Sequence, residues 1–148
     1  MPDVPRFEVS PEIGYQCHPD HRNGNPEKSQ WCISASEEFA AFRLTLENNW
    51  MINETAWGLH ISNGSIQYCG FDKTGTRNLI VAKFVSVLPA NEWHGYPADP
   101  NGKSQIARNR EIPPLPIQQS WMNTEFLSRA NLTRAKIRKI GKGEPCNL

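Results

Sequence analysis

The sequence has no long hydrophobic run. Residues 1–30 contain no uninterrupted apolar stretch, and the later runs are only a few residues long. A secretory signal peptide needs an apolar segment of about 7–15 residues, and a membrane-spanning helix needs about 20. We therefore expect a cytoplasmic protein without a membrane partner. Its 148 residues, 38% hydrophobic and 21% charged, fit a single globular domain.

The motifs of the common cofactor and hydrolase classes are also missing. The sequence has no glycine-rich phosphate loop with its lysine, no dinucleotide-binding fingerprint, no HExxH zinc motif and no GxSxG nucleophile elbow. We therefore expect no bound organic cofactor. Whether the protein is an enzyme, and in which oligomeric state it exists, are left open by the sequence.

Four cysteines lie far apart in the chain, and reduced thiols are expected in the absence of an export signal. Cys17, His18, His21 and Cys32 are residue types that bind zinc. Their spacing matches no common zinc finger, and paired CxxC motifs are absent. A zinc site here is an alternative to the more frequent case, a polar surface loop with one or two buried cysteines.

Residues 1–35 are rich in proline, glycine and asparagine, which predicts an irregular N-terminal segment. Only RFEV, at 6–9, is typical of a short strand. Ser34 precedes Glu37 by three residues, the spacing of a capping box that begins a helix.

The next segment supports two interpretations. Phe42, Leu44 and Leu46 alternate with polar residues, which predicts a half-buried strand. A helix over residues 35–47 is the alternative. We expect the strand, because a turn-like Glu-Asn-Asn and further β-rich sequence follow it.

A β-hairpin is the clearest local pattern in the sequence. AWGLHIS and SIQYCGF flank Asn63 and Gly64, two residues that suit a type I′ turn. The β-branched stretch NLIVAKFVSVL follows after a second turn. Residues 42–88 are therefore predicted to form an antiparallel meander of about four strands.

Residues 89–116 are rich in proline and show no periodicity, which predicts a long loop. Within it we expect an ordered part, 91–99, anchored by Trp93 and Tyr96, and a mobile part, 100–111. Residues 117–142 are predicted to form two short helices, broken near Asn131, that pack on the meander. The expected fold class is α+β.

The C-terminal helical segment is basic. Six basic residues and no acidic residue lie between Arg129 and Lys142, while the rest of the chain has ten basic and fifteen acidic residues, a net charge of −5. Five tryptophans are also too many for one small core, so some are expected at the surface.

The leading hypothesis is a small binding or accessory protein. Its interaction surface would combine the 91–111 loop with the basic C-terminal helix, and the partner would be a protein or a nucleic acid. The residues expected to bind are Trp93, Tyr96, Arg108, Arg110, Arg134, Arg138 and Lys139.

The alternative hypothesis is a small metal-independent hydrolase or nuclease. His94 and His60 would act as acid and base because the histidine pKa lies near neutrality, and Asp99 would lie nearby. Alternation from Trp57 places His60 away from the main core, where it could face His94. The mechanism requires the two imidazoles to converge.

Overall fold

A mixed sheet of seven strands forms the centre of the molecule. The computed structural model of the chain describes residues 6–87, 91–101 and 104–148. Its strands are β1 (Arg6–Ser10), β2 (Ile13–Gln16), β3 (Gln30–Trp31), β4 (Met51–Ile52), β5 (Thr55–Ser62), β6 (Ser65–Gln67), β7 (Gly70–Phe71), β8 (Asn78–Leu79), β9 (Val81–Val87) and β10 (Glu92–Pro97). Its α-helices are α1 (Ala35–Glu47), α2 (Gln105–Glu111), α3 (Leu115–Trp121), α4 (Thr124–Ala130) and α5 (Arg134–Gly141), and Pro19–His21 form a 3-10 turn.

The large sheet has the strand order β1-β2-β10-β9-β5-β4, and β6 pairs with β5 beside this path. Strands β2 and β10 run parallel, whereas the other pairs of the sheet are antiparallel. A small second sheet has the order β3-β7-β8. The long β-branched stretch of the sequence is therefore divided, because β8 pairs in the small sheet and β9 in the large one.

The large sheet has a separate hydrophobic core on each face, because successive side chains of a strand point to opposite faces. On one face, Phe42 of α1 packs against Phe84 and Trp93, with ring centroids 5.3 and 5.5 Å apart. On the other face, Trp57 and Leu59 belong to a cluster that includes residues of α3, α4 and α5. The sheet is thus covered by α1 on one side and by the C-terminal helices on the other.

Residues 35–47 form the helix α1, so the strand prediction for this segment is wrong and its alternative is correct. The capping box is present: the Ser34 hydroxyl accepts from the Glu37 N–H, and the Glu37 carboxylate accepts from the Ser34 N–H. The buried residues have helical spacing, but two of the four are polar, which hid the pattern from hydrophobic periodicity. They are Glu38, Ala41, Phe42 and Thr45.

The predicted fold class, an α+β four-strand meander carrying a long loop and two C-terminal helices, is contradicted. The structure is a mixed α/β fold in which β1 and β2 from the supposedly irregular N-terminal segment extend the large sheet. The segment predicted as a loop contains β10 and α2. Three helices, rather than two, follow residue 114, although the break near Asn131 is confirmed by its left-handed φ of 51°.

Glycine and proline made β10 resemble a loop, although its buried residues alternate as in a strand. Trp93, Gly95 and Pro97 are buried, and the residues between them are partly exposed. A Cβ atom at Gly95 would lie 2.3 Å from Cδ1 of Phe84, so the strand can approach β9 only with glycine there. The glycine that makes this segment look irregular in the sequence therefore allows β10 to pair with β9.

The Asn63–Gly64 hairpin is confirmed. Ser62 of β5 pairs with Ser65 of β6, and the two residues between them have φ angles of 54° and 74°. Positive φ at both positions is what a type I′ turn requires. In the described part of the chain, no helix has the length and apolar character needed to cross a membrane.

The five tryptophans are all buried, with exposed fractions between 0 and 8%. The expectation that some of them lie at the surface is therefore wrong. It assumed one core, whereas the sheet separates two. The tryptophans are Trp31 and Trp93 in the core beside α1, and Trp50, Trp57 and Trp121 in the core beside the C-terminal helices.

Replacing Trp57 tests the core beside the C-terminal helices. Trp57→Ala should lower the free energy of unfolding by about 3–5 kcal/mol, because it removes a large side chain from a packed site. Ile52→Ala is the control, since Ile52 is 38% exposed on the edge strand β4 and should change the stability far less. Chemical denaturation measures both, and equal effects would contradict the burial of Trp57.

Candidate binding cleft and basic surface

A polar cleft of about 420 Å³ lies between the 3-10 turn, the β7–β8 connection, β10 and α2. Four segments that are distant in the sequence therefore supply its walls. Its inner wall is formed by His21, Tyr96 and Glu111, and its rim includes Arg77 and Asp99. Tyr96 and Asp99 are candidates from the sequence, and His21 is a possible zinc ligand there, whereas Arg77 and Glu111 are not predicted.

His21 is held in one orientation by its neighbours. Its ring stacks on Tyr96 with centroids 5.2 Å apart, and its Nδ1 lies 2.8 Å from the carbonyl oxygen of Ser29. A carbonyl can only accept, so Nδ1 carries the proton and Nε2 carries a lone pair. Nε2 has no hydrogen-bond partner among the residues that the structure describes.

The turn that carries His21 is anchored to α1 by the next residue, Arg22. Its guanidinium donates to the Glu38 carboxylate at 2.7 and 3.1 Å and to the carbonyl of Ile33 at 2.9 Å. Glu38 is fully buried, and it also accepts a short hydrogen bond from the Tyr15 hydroxyl. Burial raises the pKa of Glu38, while the hydrogen bonds from Tyr15 and Arg22 oppose that increase.

Tyr96, Glu111 and Lys83 link the sheet to α2 beneath the cleft. The Tyr96 hydroxyl donates to Oε1 of Glu111 at 3.0 Å, and Lys83 Nζ lies 4.0 Å from the same oxygen. Lys83 also donates to the carbonyl of Arg110 at 2.7 Å. Burial, followed by the nearby charge of Glu111, raises the pKa of Tyr96, so its hydroxyl stays protonated and can donate.

Asp99 is engaged by Arg77 rather than by a histidine. The guanidinium donates twice to Asp99, at 2.9 Å each, and once to Asp72 at 3.2 Å. The hydrogen bonds from Arg77 to Asp99 raise the pKa of Arg77 above its ordinary value. Burial would raise the pKa of Asp72, but the N–H groups of Arg77 and Thr76 and neighbouring side chains outweigh it and lower that pKa. Arg77 thus bridges the two carboxylates at the rim, and the three side chains together carry one negative charge.

His94 lies beside the cleft in a row of three imidazoles. Its ring centroid is 5.6 Å from that of His18, which is 5.8 Å from that of His21. Burial lowers the pKa of both His21 and His94, and the nearby charge of His18 lowers both further. His18 and His94 also line a separate groove of about 440 Å³.

The structure does not bring His60 and His94 together. The strand register pairs Leu59 with Val81 and His94 with Val85, and side chains alternate between faces. His94 therefore lies on the face that carries Leu59, and His60 lies on the opposite face, 3.5 Å from the Glu37 carboxylate of α1. The hydrolase hypothesis requires the two imidazoles to converge, and those of His60 and His94 do not.

The candidate zinc ligands are also used in other ways. Cys17 is buried, which raises its pKa to about 12, and the thiol of exposed Cys32 contacts the carbonyl of Tyr68 at 3.5 Å. The Nδ1 atom of His18 accepts from the Asp20 N–H at 3.2 Å. Within residues 6–87, 91–101 and 104–148, no three His, Cys, Asp or Glu side chains are placed to hold a metal ion.

Basic residues also lie on α2 and α5, where α2 meets the end of α5, and they form a basic surface. Arg108 donates to the carbonyl of Lys142, which joins the two helices. Ile106 and Leu115 are exposed nearby in the sequence, at 69% and 62%. The five predicted binding residues of these helices form no ion pair with any described residue. They are Arg108, Arg110, Arg134, Arg138 and Lys139.

The two aromatic residues predicted to bind have different positions. Trp93 is 6% exposed and packs against Phe42, so it belongs to the core. Tyr96 is partly exposed and lines the cleft. Arg77 and Glu111 have no distinguishing local pattern, and His21 is indicated only as a possible zinc ligand. The alternation in WHGYP is the one signal that Tyr96 leaves the core on a strand.

Comparisons with protein-family models, curated proteins and solved structures find no match for this chain.

His21 and the half-buried His94 predict a loss of stability in mild acid. Their pKa values lie below the ordinary 6.5, so the unfolded chain binds protons at a higher pH than the native protein does. The contribution of these two histidines to the free energy of unfolding should be constant above pH 6.5. It should fall as the pH drops below that value.

Denaturation at a series of pH values, with His21→Gln and His94→Gln beside the unmodified protein, measures this effect. Each variant should show a shallower decline between about pH 6.5 and 5, because one proton-binding group is removed from the unfolded chain. Curves that stay parallel over this interval would show that these histidines titrate alike in both states.

Proposed function

We propose that this protein is a binding protein that docks an acidic partner protein on the surface formed by α2, the start of α3 and α5. The observation that carries the proposal is the combination of basic side chains that have no ion-pair partner among the described residues with exposed apolar ones. Arg134 and Arg138 lie one turn apart on α5, and Ile106 and Arg110 lie one turn apart on α2.

The loose attachment of α2 supports this role. None of its residues is buried, although each helix of a folded protein normally buries an apolar face. It is held by polar contacts, from Lys83 to the carbonyl of Arg110, from Tyr96 to Glu111 and from Arg108 to the carbonyl of Lys142. Ile106 therefore remains available to a partner.

The chemistry of the surface favours a protein over a nucleic acid. Single-stranded nucleic acids are bound through exposed aromatic side chains on which bases stack, and the only aromatic residue of α2, α3 and α5 is Trp121, which is buried. Exposed aliphatic side chains beside arginines instead match a partner surface that has apolar residues surrounded by carboxylates. The rest of the chain is acidic and would repel an acidic partner, which restricts docking to this surface.

Quantitative affinity capture from a lysate of the source organism tests the proposal. The variants are Ile106→Glu and the combination Arg134→Gln, Arg138→Gln and Lys139→Gln. Arg43→Gln, at an exposed position of α1, is the matched control. We expect the same acidic proteins to be lost from both surface variants, retained by the control and insensitive to nuclease.

Two results would contradict the proposal. Captured proteins that both surface variants retain would show that this surface is not used. Material that nuclease releases, and that only the charge variant loses, would identify a nucleic acid as the partner, since phosphate binding depends on the basic residues and not on Ile106.

A further inference from the structure

We propose a second binding site in the polar cleft between His21, Tyr96 and Glu111, and we infer that its ligand is a neutral saccharide or a similar polyol. This site is separate from the docking surface, and ligand binding there does not require a protein partner.

The cleft is balanced in charge. The acidic residues that line it are Glu27, Asp72, Asp99 and Glu111. The basic residues that line it are Lys28, Lys73 and Arg77, and Lys83 adds a fourth positive charge 4.0 Å from Glu111. Since burial keeps His21 neutral near pH 7, the described residues of the cleft, with Lys83 behind Glu111, offer no excess charge that would select an anion or a cation.

Several of these charged groups already bind other side chains of the protein. Arg77 binds both Asp72 and Asp99, and Glu111 accepts from Tyr96. These contacts fix the walls before a ligand arrives, which lowers the entropy cost of binding.

Other polar groups of the cleft remain available. Nε2 of His21 is an acceptor, and the Lys28 and Lys73 ammonium groups are donors without an ion-pair partner among the described residues. The carboxylate of exposed Glu27 adds acceptors. Donors and acceptors thus occur side by side along the same opening.

A hydroxyl group fits this arrangement because it donates one hydrogen bond and accepts others. A saccharide presents several hydroxyls on a compact frame and carries no charge that the balanced walls would leave unmatched. A mostly apolar ligand would leave the available polar groups without partners, which costs free energy. The volume of about 420 Å³ lies within the range of small-molecule sites, about 300–1,000 Å³.

Titration of the ¹⁵N-labelled full chain with maltose, followed by amide chemical shifts, tests the site. We expect saturable shifts of amides at 27–29, 72–77 and 96–99, and glucose should give the same pattern at lower affinity. Glucuronate and glucosamine, which add a negative and a positive charge, should bind no more tightly than glucose.

Two kinds of variant then probe the groups. His21→Phe keeps a ring against Tyr96 but removes the Nε2 acceptor, and Lys28→Met with Lys73→Met removes donors from exposed positions where folding is not at risk. Each should weaken maltose binding by about tenfold, the effect of losing one or two hydrogen bonds. Lys139→Gln, on the docking surface, is the control and should leave the affinity unchanged.

The inference is overturned if maltose and glucose leave the cleft amides unmoved, or if the lysine variants bind as well as the unmodified chain. Preferential binding of glucuronate or of glucosamine would overturn the charge-balance argument and identify an ionic ligand instead. Because Lys139→Gln alters only the docking surface, failure of this inference is distinguishable from failure of the proposed function.

Discussion

The pairing of β10 with both β9 and β2 holds the two halves of the large sheet together. Phe84 of β9 fills the space that a side chain at position 95 would occupy, so the two strands approach closely only because residue 95 is glycine. On its other edge, Trp93 pairs with Tyr15 of β2. The N-terminal strands, the 3-10 turn with His21 and the connection to α2 all take their positions from this strand.

The two functional surfaces also depend on β10, through polar residues of β10 and of its neighbour β9. Tyr96 leaves the strand toward Glu111 of α2, and Lys83 of the neighbouring strand reaches the carbonyl of Arg110. The cleft and the basic surface therefore share one helix, α2. A change that loosens this helix would alter both sites together, whereas substitutions on its outer face would affect only docking.

Local patterns in the sequence predicted the features that depend on neighbouring residues. The Asn63–Gly64 turn, the capping box at Ser34 and the break at Asn131 each follow from short-range geometry. The strand at β10 could not be predicted in this way, because its partners Tyr15 and Phe84 are distant in the sequence. The same applies to the cleft: Tyr96 was a candidate, but its contact with His21 exists only because β2 and β10 run side by side.

The parallel pairing of β2 and β10 also constrains the order in which the chain can fold. Strand β2 ends at Gln16 and β10 begins at Glu92, so the ribosome adds more than seventy residues between them. At about 5–20 residues per second, the N-terminal hairpin emerges several seconds before the only strand that joins it to the described sheet. During that interval its backbone edge is unpaired, which makes the nascent chain vulnerable to mispairing and a substrate for chaperones.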